Sequence, residues 1–164
     1  MRLKDKVSII TGAGRGIGQA TAVKFAREGA KIVVSDVSAD AIAETVQLCE
    51  SEGAQTLGVV ADVTDKKSLQ KMVDATLAKF GRIDCLVNNA GIVADAQMKN
   101  MTDEQFDKVI AVNLKGVFNC TKAVVDTMLA QKSGVILNSS SIVGLYGNFG
   151  QSNYAAAKFG VIGM

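Results

Sequence analysis

The stretch V-S-I-I-T-G-A-G-R-G-I-G, residues 7–18, decides the fold, because an apolar β-branched run leads directly into a glycine-rich turn. Residues 7–11 are typical of a buried strand, and a helical pattern follows over 16–28. Glycines let a backbone approach a pyrophosphate closely, and the helix offers free N–H groups and the positive end of its dipole. Although the glycine spacing departs from G-x-G-x-x-G, the strand–turn–helix context predicts a dinucleotide-binding turn, with a ligand-free βα turn as the alternative. The candidate cofactor-binding residues in the turn are Gly12, Arg15, Gly16, Ile17 and Gly18.

Short apolar runs alternate with longer amphipathic stretches along the rest of the chain. This alternation predicts an α/β fold of the Rossmann-like kind: a doubly wound parallel sheet of five strands with helices on both faces. Polar residues at 38, 64–65 and 102 mark helix starts, and Gly29, Gly53 and Gly81 stand where helices should end. The strands are expected at 7–11, 31–35, 55–61, 83–87 and 134–139, and the helices at 16–28, 39–52, 66–80 and 103–131, the last as one bent helix or two.

Composition excludes several classes of protein. The 164 residues are 48% hydrophobic and 21% charged, which suits a single globular domain. The net charge is only +2 and basic residues are dispersed, so neither nucleic acid nor an anionic membrane is indicated as a partner. No apolar run approaches the roughly 18 residues of a membrane span, and the N-terminus lacks the pattern of a signal peptide. We therefore expect a cytoplasmic protein.

Histidine is absent, which excludes a Ser-His-Asp triad and any histidine-ligated metal. The three cysteines, Cys49, Cys85 and Cys120, form no C-x-x-C pair, so no metal site is expected and small buried side chains are the simplest interpretation. Acid–base chemistry in this chain would have to use tyrosine, lysine, aspartate or glutamate.

The acidic residue after the second strand bears on cofactor choice. Asp36 lies 18 residues beyond Gly18, where a carboxylate accepts hydrogen bonds from ribose hydroxyls and repels a 2′-phosphate. It therefore favours NAD over NADP. Arg15 acts in the opposite direction, because a guanidinium can pair with a 2′-phosphate. A solvated turn residue is the alternative for Asp36.

Two further strand ends carry polar residues. Asp62 and Val63 follow the third strand, and N-N-A-G at 88–91 follows the fourth. The carboxyl ends of parallel strands line the ligand crevice of such a sheet. Paired asparagines can tie neighbouring strand ends together, and Ala-Gly lets a ring approach closely. Turn chemistry alone is the alternative for both stretches.

Candidate catalytic residues follow the fifth strand. Tyr154 and Lys158 lie four residues apart in a helix expected to begin near Ser152, after a glycine-containing loop at 144–150, so both project from one face. A nearby ammonium stabilises a phenolate, which suits tyrosine to proton exchange with an alcohol or carbonyl oxygen. Serines at 139–141 can hydrogen-bond a substrate oxygen. The alternatives are an amphipathic helix that carries a Tyr–Lys pair and ordinary loop serines.

These motifs, in this order, resemble those of the short-chain dehydrogenase/reductase family, and the resemblance extends over the whole chain. They are the glycine turn, Asp36, A-D-V at 61–63, N-N-A-G at 88–91, V-N-L at 112–114, the serine loop and Y-A-A-A-K at 154–158.

The resemblance implies an oxidoreductase that transfers a hydride between a nicotinamide cofactor and a ketone or secondary alcohol. It implies that Tyr154 is the general acid/base and that Lys158 stabilises its phenolate and binds the nicotinamide ribose. It further implies that Ser141 hydrogen-bonds the substrate carbonyl and that Asn113 holds a water in a proton relay through the lysine. Ser139 would be a lesser, structural or cofactor-side serine.

For the cofactor, the resemblance implies that Asp62 and Val63 contact adenine and that Asn89 and Gly91 lie beside the ribose. Within the family, the stretches at 88–92, 98–107 and 147–158 most resemble bacterial 3-oxoacyl-acyl-carrier-protein reductases, whose substrate is bound to the acyl carrier protein. Those enzymes usually prefer NADPH, and Asp36 departs from that preference. The cofactor is therefore NAD or NADP.

Other functions stay open. One is a dehydrogenase of another small secondary alcohol or sugar, another is a dinucleotide-binding module without turnover, and a third is a purely structural oligomer subunit. Family members assemble into dimers and tetramers through the helices that match 103–131 and the one that bears Tyr154, so a homo-oligomer is expected. Family members are also longer than this chain. We therefore expect a single domain, 1–164, cut within the helix that begins near Ser152, with its C-terminal strands missing.

Overall fold

The computed structural model describes residues 1–164 and contains one five-stranded parallel sheet. The strand order is β3-β2-β1-β4-β5, with the crossover between β3 and β4, which confirms the doubly wound sheet predicted from the sequence. The strands are β1 (Val7–Thr11), β2 (Lys31–Asp36), β3 (Thr56–Val60), β4 (Cys85–Asn88) and β5 (Val135–Asn138).

Seven α-helices surround the sheet, and most of their ends follow local sequence signals. The Ser38 hydroxyl accepts from the Ala41 amide at the start of the second helix, and Thr102 forms a capping box with Gln105. Gly29, Gly53 and Gly81 all have positive φ directly after helices, as predicted. The helices are α1 (Gly16–Arg27), α2 (Ala39–Ser51), α3 (Lys66–Phe80), α4 (Asp103–Ile110), α5 (Gly116–Gln131), α6 (Ile142–Tyr146) and α7 (Ser152–Gly163).

Three details go beyond the sequence-based expectation. The stretch 103–131 is α4, a π-helical turn at Ala111–Lys115 and α5, a continuous helical run whose hydrogen-bond pattern changes in the middle. The segment expected to be only loop includes α6, whose first turn is capped by the Ser141 hydroxyl. A short 3₁₀ turn at Met98–Asn100 was also not predicted. The helix α6 and the 3₁₀ turn are too short to produce a helical period in the sequence.

An apolar layer covers each face of the sheet. Alternate residues of the central strands point to opposite faces, because the side-chain period of a strand is two. Ile9 and Val33 pack towards α3 and α5, whereas Ile10 and Val34 pack towards α1 and α2. The two outermost strands are less covered: Val135 on β5 is 55% exposed. No helix combines the length and apolar character needed to cross a bilayer.

Candidate dinucleotide site and active site

The candidate site is a cleft at the carboxyl ends of the strands, where the chain crosses from β3 to β4. At this switch point the helices after β1 and β4 lie on opposite faces of the sheet and leave a crevice between them. The glycine turn after β1 and the end of β4 therefore form the two sides of the cleft, and Asn89 and Gly91 line it.

The glycine turn has the geometry that its sequence predicts. Gly12 and Gly16 have φ of +61° and +57°, a region that residues with a Cβ avoid. A Cβ on Gly18 would lie 2.2 Å from the Gly12 carbonyl oxygen, so the turn closes on itself only with glycine there. Arg15 is the N-cap residue of α1, and no side chain accepts a hydrogen bond from the first turn of that helix. These amides are available to an anion.

Asp36 is held by main-chain amides and does not behave as a solvated turn residue. One carboxylate oxygen accepts from Gly14 N at 2.9 Å, and the other accepts from Val37 N at 2.8 Å and Ser38 N at 3.2 Å. The carboxylate thus joins the end of β2 to the glycine turn. Asp36 and Arg15 both line the cleft, so the residue predicted to select NAD and the residue predicted to oppose it face the same space.

Asn88, the last residue of β4, and Asn89, which follows it, tie neighbouring strand ends together, as predicted. The Asn89 carboxamide donates to the carbonyls of Thr11 and Gly12, both at 3.0 Å. The Asn88 carboxamide donates to the Asn138 side chain on β5 at 2.9 Å. The N-N-A-G stretch therefore combines turn chemistry with a place at the cleft, since Asn89 also lines it.

Asp62 and Val63 also line the cleft, beyond the end of β3. The Asp62 carboxylate accepts from the Thr64 amide and hydroxyl, both at 2.8 Å, which is the turn interpretation considered above. The Val63 carbonyl accepts from the buried Asn119 carboxamide at 3.0 Å, so α5 fixes the end of β3.

Lys158 and Tyr154 come together at the opposite end of the cleft. The Lys158 side chain is almost entirely buried, with Lys158 only 4% exposed, and its ammonium donates to the Ser139 carbonyl at 2.5 Å. The same nitrogen lies 5.7 Å from the centre of the Tyr154 ring. Burial lowers the pKa of Lys158, because the charged form loses hydration. Ile17 lines this end of the cleft as well.

The side chains of the other two predicted catalytic residues do not line the cleft and are engaged by main-chain groups. The Asn113 carboxamide lies in the π-helical turn, accepts from Ile92 N and donates to Ile92 O, both at 2.8 Å. The Ser141 hydroxyl accepts from Val143 N at 3.2 Å as the N-cap of α6. Of the serines at 139–141, the one that lines the cleft is Ser139. The structure thus brings Tyr154 and Lys158 to the cleft and leaves the roles of Asn113 and Ser141 as predictions.

The cleft has two connected parts. The glycine-turn part has a volume of about 360 Å³ and includes Asp36 and Asp62. The Tyr154 part has a volume of about 440 Å³ and includes Ser139, Tyr154 and Lys158. The two parts share Arg15, Asn89, Gly91 and Ile92. One continuous groove therefore leads from the carboxylate of Asp36 to the phenol of Tyr154.

Sequence reasoning missed two buried polar residues that support this groove. Thr45 on α2 is fully buried, and its hydroxyl donates to the Ala13 carbonyl in the glycine turn at 3.0 Å. Asn153 on α7 is also fully buried and bonds to Ala94. Thr45 stands between Ile42 and Cys49 on the buried stripe of α2, and that polar interruption is the signal that could have found it. Asn153 shares the buried stripe of α7 with Lys158, so an interruption alone does not single it out. Lys108, on α4, lines the glycine-turn part and had no such signal.

Comparison with known proteins identifies the class that this fold and cleft define. A family model described as short chain dehydrogenase matches residues 6–164. The chain belongs to the short chain dehydrogenase family.

Its curated relatives include reductases of one kind. The chain is 50% identical over 164 residues to the 3-oxoacyl-[acyl-carrier-protein] reductase FabG of Thermotoga maritima, which is 100% of this chain and 67% of that protein. It is 47% identical over 165 residues to the 3-oxoacyl-[acyl-carrier-protein] reductase of Synechocystis sp., with 98% of this chain and 66% of that protein covered. The chain thus spans about two thirds of the length of the curated relatives it matches.

Solved structures agree on the fold. The crystal structure of levodione reductase matches with a TM-score of 0.96 and 42% identity, over 99% of this chain and 64% of that one. The NAD⁺-bound xylitol dehydrogenase structure matches with a TM-score of 0.97 and 33% identity, over 99% of this chain and 63% of that one.

Proposed function

We propose that this chain is the dinucleotide-binding and proton-transferring part of an NAD(P)-dependent oxidoreductase that interconverts a ketone and a secondary alcohol. The observation that carries the proposal is the single groove with the glycine turn at one end and the Tyr154–Lys158 pair at the other. Such a groove has room for an extended ligand, with anion-binding amides near one end and a proton donor at the other.

The residues of the groove fit a nicotinamide dinucleotide. Glycine lets the turn approach the segment after β4 closely, since a Cβ on Gly12 would lie 2.7 Å from the Ala90 Cα. The first turn of α1 supports diphosphate binding, and the Asp36 carboxylate, fixed by three amides, supports binding of ribose hydroxyls. When bound, the nicotinamide supplies or accepts the hydride.

The chain's own residues would manage the proton that accompanies the hydride. The Tyr154 hydroxyl would donate a proton to the substrate oxygen in reduction and accept it in oxidation. The Lys158 ammonium, fixed on the Ser139 carbonyl, would stabilise the phenolate that results. Ser141 would donate its hydroxyl hydrogen to the substrate oxygen, while its oxygen goes on accepting from Val143 N in the helix cap.

As the substrate we propose a 3-oxoacyl thioester carried by the acyl carrier protein. Support comes from the names of the relatives at 50% and 47% identity. A small ketone or secondary alcohol is the alternative, because the two structural relatives carry the names levodione reductase and xylitol dehydrogenase. For the cofactor we propose NAD over NADP, because the fixed Asp36 carboxylate would repel a 2′-phosphate.

We also propose self-association. Phe118 on α5 is 40% exposed and Phe159 on α7 is 60% exposed, so these helices offer aromatic side chains to another copy. Light scattering of the purified chain over a range of concentrations tests this, and a mass that stays that of one chain would contradict it.

The catalytic proposal is tested with the purified chain by titrating NADH and NADPH and then following their oxidation with a 3-oxoacyl thioester. Turnover that falls by about 10²–10⁴-fold in Tyr154→Phe, with dinucleotide binding unchanged, is the expected result, since the phenol acts only on the proton. Full activity in Tyr154→Phe would refute the mechanism.

A second candidate function is dinucleotide binding without turnover. It is favoured by the incomplete cover of β5, where Val135 is 55% exposed and Leu137 is 46% exposed. Tight NADH binding with no oxidation of any ketone tested would select this function. Absence of binding to either dinucleotide would exclude both.

A further inference from the structure

A buried asparagine lies immediately before Tyr154. Asn153 has no exposed surface, and its carboxamide uses three hydrogen bonds. The nitrogen donates to the carbonyls of Ala94 at 2.9 Å and Gln105 at 3.2 Å. The oxygen accepts from the Tyr154 amide at 2.7 Å. Both N–H groups and one oxygen lone pair are therefore satisfied.

The contact with Tyr154 replaces a missing helix cap. The Tyr154 amide is in the first turn of α7, where amides lack a partner within the helix. Gln151, the N-cap residue, does not cap the helix, because its side chain bonds to Asp95 and Asn148 instead. Asn153 supplies the acceptor and so fixes the main chain of Tyr154.

The other contacts of Asn153 reach the wall of the cleft. Ala94 belongs to the segment 91–96, which begins with Gly91, Ile92 and Val93, all of which line the Tyr154 part. The Asn113 carboxamide holds this segment at Ile92, and Asn153 holds it two residues later. The segment therefore lies between two buried carboxamide clamps, one on the π-helical turn and one on α7.

All three partners of Asn153 are main-chain groups on different elements: α7, the segment 91–96 and α4. A side chain bonded in this way fixes the relative positions of backbones, and no apolar residue of similar shape can satisfy these carbonyls and this amide. Burial by itself would not require asparagine here, because a leucine side chain would fill the same volume equally well.

We propose that Asn153 is a positioning residue that sets the distance between the Tyr154 phenol and the cleft wall at 91–93. It touches neither substrate nor dinucleotide and acts through the backbones of Tyr154 and Ala94. The inference rests on the proposed function. Proton transfer depends steeply on geometry, and a displacement of about 1 Å costs about 10²-fold in rate. Dinucleotide affinity depends on the glycine turn, which Asn153 does not contact.

The test is Asn153→Asp, which keeps the shape and the acceptor for the Tyr154 amide but points an oxygen at two carbonyls. We expect kcat to fall by about 30-fold, while the Kd for NADH, measured by fluorescence titration, changes by less than about twofold. Asn153→Ser, which keeps one donor on a shorter side chain, serves if the aspartate variant does not fold, and it should show the same split. The control is Gln151→Ala, which removes a solvent-accessible bond to the same segment and should leave kcat within about twofold.

Three outcomes would count against the inference. Wild-type kcat in both Asn153 variants would overturn it alone. Equal losses of kcat and of NADH binding capacity, matched by a smaller folded fraction, would show a role in folding only and would also overturn it. Absence of turnover in the wild-type chain would overturn the proposed function and this inference together.

Discussion

The glycine turn and the helix α7 form the two ends of one groove, but the chain holds them differently. The turn is bonded on every side within the chain: by Asp36 from β2, by Asn89 from beyond β4 and by Thr45 from α2. Helix α7 is held along one face by Asn153 and Lys158.

Its other face, with Phe159 at 60% exposed, faces solvent. The turn is thus fixed by bonds from three other elements, whereas the polar anchors of α7 are Asn153, Lys158 and the Ser140 hydroxyl, which donates to the Lys158 carbonyl at 2.8 Å. We therefore expect dinucleotide affinity and proton transfer to respond to different substitutions.

The largest effect is expected at Gly18. In Gly18→Ala the new Cβ would lie 2.2 Å from the Gly12 carbonyl oxygen and 2.9 Å from the Ala13 Cα, and neither backbone atom can move away cheaply. Overpacking of this kind costs up to about 3 kcal/mol, so the Kd for NADH should rise about 100-fold. Gly16→Ala offers a graded comparison, because Gly16 has positive φ but open space around its Cβ position, and its loss should be smaller. Equal Kd values for the two variants would show that steric closure of the turn does not matter.

The next largest effect is expected at the amino-terminal end of the pair β1 and β4, away from the cleft. There the Asp84 carboxylate accepts from Val7 N at 3.0 Å and from the Arg82 guanidinium at 2.9 and 2.6 Å. The Lys6 ammonium lies 3.6 Å from the same carboxylate. Asp84 is 7% exposed. Asp84→Asn should lower the free energy of unfolding by about 2 kcal/mol, as expected for a hydrogen-bonded charged group, and leave the Kd for NADH unchanged.

The pH dependence of this effect follows from the pKa of Asp84. Burial raises that pKa, but the hydrogen bonds from Arg82 and Val7 and the charges of Arg82 and Lys6 outweigh burial and lower it. A lowered carboxyl pKa stabilises the folded state above the unfolded-state value of about 4, and this stabilisation is lost as the pH falls through the folded-state pKa. The difference between wild type and Asp84→Asn, measured by urea unfolding, should therefore shrink as the medium is acidified. A difference that grows on acidification would contradict this assignment.

The sequence predicts the turn better than it predicts the Tyr154 end, for a physical reason. The glycines and Asp36 act through local backbone geometry, and their spacing from a strand reveals them. Lys158 and Tyr154 are also visible as an i, i+4 pair. Ser141 is different, since its hydroxyl caps α6, a five-residue helix with no readable period.

Long-range partners are also invisible in the sequence. Asn153 and Ala94 are 59 residues apart, and Thr45 and Ala13 are 32 apart, so nothing local links them. The start of β4 shows the same limit: the strand was expected from Ile83, but the Ile83 amide bonds to the Gln131 side chain and the strand begins at Cys85.

The smallest effect, at Thr45, tests the comparison most directly. Thr45 is fully buried beneath the turn, donates to the Ala13 carbonyl at 3.0 Å and accepts from the Gln19 side chain at 3.0 Å. Thr45→Val keeps the shape and leaves that carbonyl without its donor, so the turn should relax and the Kd for NADH should rise about fivefold, as expected for about 1 kcal/mol. Thr45→Ser keeps the hydroxyl and should bind like wild type.

Because Thr45 lies outside the cleft and far from α7 in the hydrogen-bond network, kcat at saturating NADH should stay within about twofold of wild type in Thr45→Val. This is the reverse of the split expected for Asn153→Asp. If both variants lowered kcat and affinity together, the two ends of the groove would be a single cooperative unit, and the difference in how they are anchored would have no functional consequence. If each changed only its own quantity, the chain would have separate supports for binding the dinucleotide and for placing the phenol.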